Sequence, residues 1–164
     1  MAPQTPLKIL IIDDEPGFVS GLAGILRHDG YTVDTVGNGH LALTQLHEHR
    51  YDLLLCDLRM PMLDGPNFYE MLMRQYSYLR QRVIFLTGDT LGAASTAFLE
   101  QCGQPWLHKP CKAAQVRSAI EQMLHVPHDA MHHTAQGKGV EHDGAAGNPT
   151  GARDTMGCPE SRTG

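Results

Sequence analysis

Five times along this chain a short apolar run gives way to a stretch patterned for a helix, and that alternation limits the folds open to it. The runs "LKILII" (7–12), "YTVDTV" (31–36), "DLLLC" (52–56), "RVIFL" (82–86) and "PWLH" (105–108) read as strands. Between and after them, 16–28, 38–49, 65–75, 91–102 and 113–124 carry helical signals. Pro16 suits a first helical turn, Ala42, Leu43 and Leu46 share one side of the second helix, and Phe68, Met71 and Leu72 recur at core spacing in the third. Strands that alternate with helices form parallel sheets with helices on both faces. The continuous apolar character of the first, third and fourth runs fits strands buried on both sides. The expectation is a doubly wound α/β domain with a five-stranded parallel sheet.

The ends of these runs are chemically unusual. The first is followed by Asp13, Asp14 and Glu15, the third by Asp57, the fourth by Thr87, and the fifth leads to Lys109. A carboxylate beside a buried strand is unfavourable unless something pairs with it. In open α/β sheets, ligands bind outside the carboxyl ends of the strands, where strand order reverses. With order 2-1-3-4-5 that point lies between the first and third strands, and Asp13 and Asp14 face Asp57 across it. Three carboxylates in one crevice repel one another and call for a cation. Oxygen ligands without His or Cys favour Mg²⁺, which takes bound phosphate as a further ligand. Lys109 adds a positive charge and Thr87 a hydroxyl, both suited to phosphoryl oxygens. A carboxylate nucleophile, a divalent metal, a lysine and a hydroxyl donor make a phosphoryl-transfer site.

Composition narrows the classes further. The net charge of −5 argues against a nucleic-acid surface. No apolar run approaches a membrane span, and "MAPQTPLK" lacks the pattern of a signal peptide. Cys56, Cys102, Cys111 and Cys158 form no CxxC pair, which favours free thiols in a reducing cytosol. From Pro127 to Gly164 there is no Leu, Ile, Phe, Tyr or Trp, so a folded domain over 7–126 and a disordered tail over 127–164 are expected. His128, His132, His133 and His142 lie in that tail among Gly and Pro, and no specific metal site is expected from them.

"IIDDE", "LLLCDLRMPMLDG", "FLTGD" and "HKP" together resemble the receiver domain of two-component response regulators, with a flavodoxin-like (βα)5 fold. The resemblance implies that Asp57 accepts a phosphoryl group from a phosphohistidine on a sensor histidine kinase or a histidine phosphotransfer protein. It further implies Mg²⁺ held by Asp14, Asp57 and the Arg59 backbone carbonyl, with Asp13 acting largely through water. Thr87 would bond the phosphoryl oxygen, Lys109 would pair with it, and the Lys109–Pro110 peptide would be cis. Trp106 occupies the family's aromatic switch position, on a face formed by helix four, strand five and helix five that would meet a downstream protein. Arg59 and Asp89 stand at variable positions bordering the phosphoryl group, and "LTGDT" with "FLEQCGQPWLHKP" resembles receivers of hybrid histidine kinases.

Each motif taken singly has a plainer reading. Asp14 or Glu15 could cap the helix opening at Pro16, "LDG" could be a turn, and Trp106 could be core or interface filler. Their joint placement favours the receiver. An aspartyl-phosphate phosphatase of the haloacid-dehalogenase kind needs Asp-x-Asp after a strand, and Arg59 stands where the second acid would be. The expected role is a cytoplasmic, phosphorylation-dependent switch or relay intermediate, working through another protein rather than an output domain of its own. It would catalyse only its own phosphorylation and dephosphorylation. A receiver belonging to a longer hybrid kinase is the other reading.

Overall fold

The computed structural model describes residues 6–88 and 92–125. Strands β1 (Lys8–Ile12), β2 (Thr32–Val36), β3 (Leu53–Asp57), β4 (Val83–Thr87) and β5 (Trp106–His108) alternate with helices α1 (Pro16–His28), α2 (Gly39–Glu48), α3 (Gly65–Gln75), α4 (Ala93–Cys102) and α5 (Ala113–His125). All strand pairs are parallel, in the order β2-β1-β3-β4-β5. The doubly wound, five-stranded architecture expected from the alternation is the one observed. The tail after residue 126, Asp89 and Cys158 lie outside the described residues.

Because side chains alternate along a strand, the sheet builds two cores. On one face Leu10 and Ile12, Leu54 and Cys56, and Val83 and Phe85 meet Ala42 and Leu46 of α2, Phe68 and Leu72 of α3, and Leu99 of α4. On the other, Ile9 and Ile11, Leu53 and Leu55, and Ile84 and Leu86 meet Leu22, Ala23 and Leu26 of α1 and Val116 and Ile120 of α5. Each such apolar side chain, removed from water, contributes about 1.5–3 kcal/mol before chain entropy is subtracted. That double burial explains why the first, third and fourth runs read as unbroken apolar strings.

Strand ends differ from the sequence reading by one residue. Asp57 and Thr87 are the last residues of β3 and β4 rather than the first beyond them, because the ladder continues: Asp57 pairs with Leu86 and Thr87 with His108. A 3₁₀ turn at Ser77–Leu79, which the apolar periodicity does not announce, buries Leu79 completely. Helix starts are set by polar side chains. Asn38 accepts a bond from Leu41 N (2.9 Å) and Asp64 accepts one from Asn67 N (3.0 Å), so the Asp of "LDG" is a cap. At α1 the cap position is Glu15, whose side chain makes no capping bond. Asp13 Oδ1 instead accepts from Glu15 N at 2.9 Å, which corrects the reading of Asp14 or Glu15 as a cap.

Candidate phosphoryl-acceptor site

Asp57 is pressed against the hydrophobic layers by its own strand and is 5% exposed. Desolvation on this scale is costly for a carboxylate, and burial raises the Asp57 pKa above its ordinary value. Two donors oppose that effect. Arg59 N donates to Oδ1 at 3.1 Å and Lys109 Nζ donates to Oδ2 at 3.1 Å. The loop after β3 delivers the first of these and the loop after β5 the second.

Lys109 ties the strand ends together. Its backbone N–H donates to Thr87 O at 2.7 Å, and its ammonium lies 2.6 Å from Asp13 Oδ2 and 3.6 Å from Glu15 Oε2. Burial depresses the ammonium's affinity for its proton, but Asp13 and Asp57 together outweigh it and hold the pKa above its ordinary value. The Lys109–Pro110 peptide is cis. Thr87, also buried, directs its hydroxyl to the Gly88 carbonyl at 3.2 Å. Among the described residues, and leaving aside its chain neighbours, no atom stands within 4 Å of where a Gly88 Cβ would be.

The acids that the sequence reading placed across the crevice do meet. Asp13, Asp14 and Asp57 each offer a carboxylate oxygen, and these oxygens lie within 4.8 Å of one another. Asp13 and Asp57 are buried while Asp14 is exposed. Asp13 Oδ2 is buried, and its close polar contact is the ion pair with the Lys109 ammonium. A hard, all-oxygen cluster of three converging carboxylates fits a small divalent cation. A cleft of about 680 Å³ runs from Asp14 and Arg59 past Met60 and Asp64 to Ser95 and Phe98.

Residues 9–121 match the family model described as the response regulator receiver domain. The chain belongs to that family. As a receiver it is 28% identical over 117 residues to the DNA-binding response regulator MtrA of Mycolicibacterium smegmatis, covering 71% of this chain and 50% of MtrA. It is 29% identical over 120 residues to the transcriptional regulatory protein ZraR of Salmonella typhimurium, covering 72% of this chain and 26% of ZraR. The chain thus spans half or less of the length of these two relatives. Among solved structures, the signal receiver domain of a signal transduction histidine kinase from Syntrophus aciditrophicus is 33% identical, with a TM-score of 0.65 over 71% of this chain and 89% of that one. The chemotaxis protein CheY4 of Vibrio cholerae, 22% identical, shares the fold with a TM-score of 0.66 over 73% of this chain and 99% of its own. Receivers are signalling switches rather than metabolic enzymes, and they typically bind Mg²⁺ in an acidic pocket of the kind assembled here from Asp13, Asp14 and Asp57. Among the described residues, no helix is long and apolar enough to cross a membrane.

Trp106 is less enclosed than core filler would be. It is 41% exposed, with its ring edge-on to His108 at 4.9 Å between centroids. Its ladder partner is Phe85, and Thr87 is paired with His108, so Thr87 and Trp106 are offset by two residues on neighbouring strands. Two residues near Lys109 escaped the sequence reading as parts of the site. Glu15 reads in the sequence only as part of the acidic run after β1 and as a possible cap, and Phe18 is not singled out at all.

Proposed function

We propose that Asp57 accepts a phosphoryl group from the phosphohistidine of a sensor histidine kinase or a histidine phosphotransfer protein. One observation carries this reading: a buried strand-end carboxylate held by an ammonium at 3.1 Å, with two further acids gathered beside it. An Asp57 oxygen attacks phosphorus while the donor's phosphorus–nitrogen bond breaks, and the bonding pair returns to the imidazole. Lys109 pairs with the phosphoryl oxygens and the Thr87 hydroxyl donates to one of them. Asp14, Asp57 and the Arg59 carbonyl would hold Mg²⁺, with Asp13 acting largely through water, and the ion would neutralise charge on the phosphoryl oxygens.

The phosphorylated receiver acts as a switch, or passes the group on as a relay intermediate. Output goes to a downstream protein through the face of α4, β5 and α5, with Thr87 and Trp106 coupling the site to that face. Similarity to a histidine kinase's receiver favours the relay role, either alone or within a hybrid kinase. The work is set in the cytoplasm, with no nucleic-acid contact by this domain. Intact-mass measurement after exposure to a small phosphodonor tests the assignment. Wild type gains one phosphoryl mass with Mg²⁺ and none after chelation, and Asp57→Asn gains none. Equal labelling of Asp57→Asn would overturn it.

A further inference from the structure

Among the described residues, the Lys109 ammonium lies close to three carboxylates: Asp13 at 2.6 Å, Asp57 at 3.1 Å and Glu15 at 3.6 Å. It also meets an aromatic ring. That ring is Phe18, which turns its face to the ammonium with its centroid 4.7 Å from Nζ. We infer that Phe18 is a positioning residue for Lys109, holding the ammonium at the mouth of the site for phosphoryl transfer; this rests on the function proposed above.

The lysine stem has four rotatable bonds, and fixing such a side chain costs rotamer entropy. Carboxylates alone are poor jigs for it here. Asp13 and Asp57 belong to the chemistry, and their charge changes when a cation or a phosphoryl group arrives. Glu15 is exposed and the most distant of the three. Phe18 sits in the first turn of α1, partly buried against the core of Ile9, Ile11 and their neighbours, and its quadrupole does not change during the reaction. The Lys109 side chain is only 12% exposed, so the cation–ring attraction acts with little screening by water. An aliphatic residue would fill the same space against the core but would offer no negative face to the ammonium.

The test compares Phe18→Leu, which keeps apolar bulk, with Phe18→Tyr, which keeps the ring; Phe18→Met replaces the leucine variant if that one fails to fold. In unphosphorylated protein, the Lys109 Cε protons carry an upfield ring-current shift in NMR spectra of wild type and Phe18→Tyr, and lose it in Phe18→Leu. With phosphoramidate and Mg²⁺, the maximal phosphorylation rate of Phe18→Leu falls by about three- to tenfold, as expected for a cation–π contact. The half-saturating donor concentration changes less, and Phe18→Tyr restores the rate. A labelled wild type with Phe18→Leu labelled equally fast, or an unmoved Lys109 signal, overturns the inference alone. A wild type that takes no phosphoryl group overturns the reading beneath it, whatever the Lys109 signal does.

Discussion

A Cβ on residue 65 would stand 2.9 Å from the carbonyl oxygen of Asp57. Gly65 is therefore the point at which α3 lies directly against the end of β3, with Gly65 N donating to Leu58 O at 3.1 Å. The obstructing atoms are backbone, including Leu58 Cα at 2.9 Å, and cannot swing aside as a side chain would. Gly65→Ala should destabilise the fold by about 1–3 kcal/mol, as overpacking does. It should also slow labelling of Asp57, since the strand end must shift. Gly24, exposed in α1 with nothing within 4 Å of where a methyl group would stand, is the control. Gly24→Ala should be neutral or stabilising by up to about 1 kcal/mol. Denaturant midpoints for the two variants check this, and similar midpoints for both would show that the β3–α3 contact yields easily.

Acid stability should depend on Asp34. Its carboxylate accepts from Tyr51 Oη at 2.8 Å and pairs with Lys8 Nζ at 2.9 Å. Burial raises its pKa, but the Lys8 and Tyr51 contacts outweigh that and leave it below the usual 3.8. A depressed folded-state pKa contributes stability above the unfolded value, and the contribution is lost as pH falls through the folded one. The group is 40% exposed, so solvent screening keeps the effect modest. Asp34→Asn should melt lower than wild type at about pH 7, with the gap closing as pH falls below 3.8 and through the lowered folded-state value. A gap independent of pH would assign the loss to packing around Tyr51 rather than to charge.

Trp106 is the single tryptophan, so its emission reports the switch face without interference. If phosphorylation draws Thr87 inward and Trp106 follows, the indole leaves water and its emission shifts to the blue. Thr87→Val should take the phosphoryl group yet lose most of that shift, because the packing no longer responds differentially to phosphate. Unchanged emission in wild type fully phosphorylated by mass would exclude coupling through Trp106.

The order of elements and the gathering of Asp13, Asp14 and Asp57 at the strand ends were legible because both are carried by local pattern. Apolar runs mark strands buried on two sides, and an acid or hydroxyl directly after such a run has few plain explanations. What stayed hidden depends on contacts between distant parts of the chain. Asp57 and Thr87 belong to the ladder only because Leu86 and His108 lie opposite them. Tyr51 looks like a loop residue before β3, yet it is buried with its hydroxyl shared between Asp34 and Gln45. Gly65 reads as part of a turn, and its closeness to Asp57 appears only once the helix is docked. Phe18 and Lys109 are near opposite ends of the domain in sequence, and no spacing rule links an α1 aromatic to a lysine after β5.

The arrangement of β5 has a consequence for quality control. This edge strand has three residues and a single strand neighbour, β4. Short edges of this kind are where a native fold opens most easily without unravelling. Lys109 follows β5 directly and is held by its backbone bond to Thr87, so such an opening would carry the ammonium away from Asp57 while the central strands stayed paired. A damaged or half-assembled molecule would then keep its acids but lose the ammonium beside them; under the function proposed above, a defective copy would fall silent rather than send a false signal.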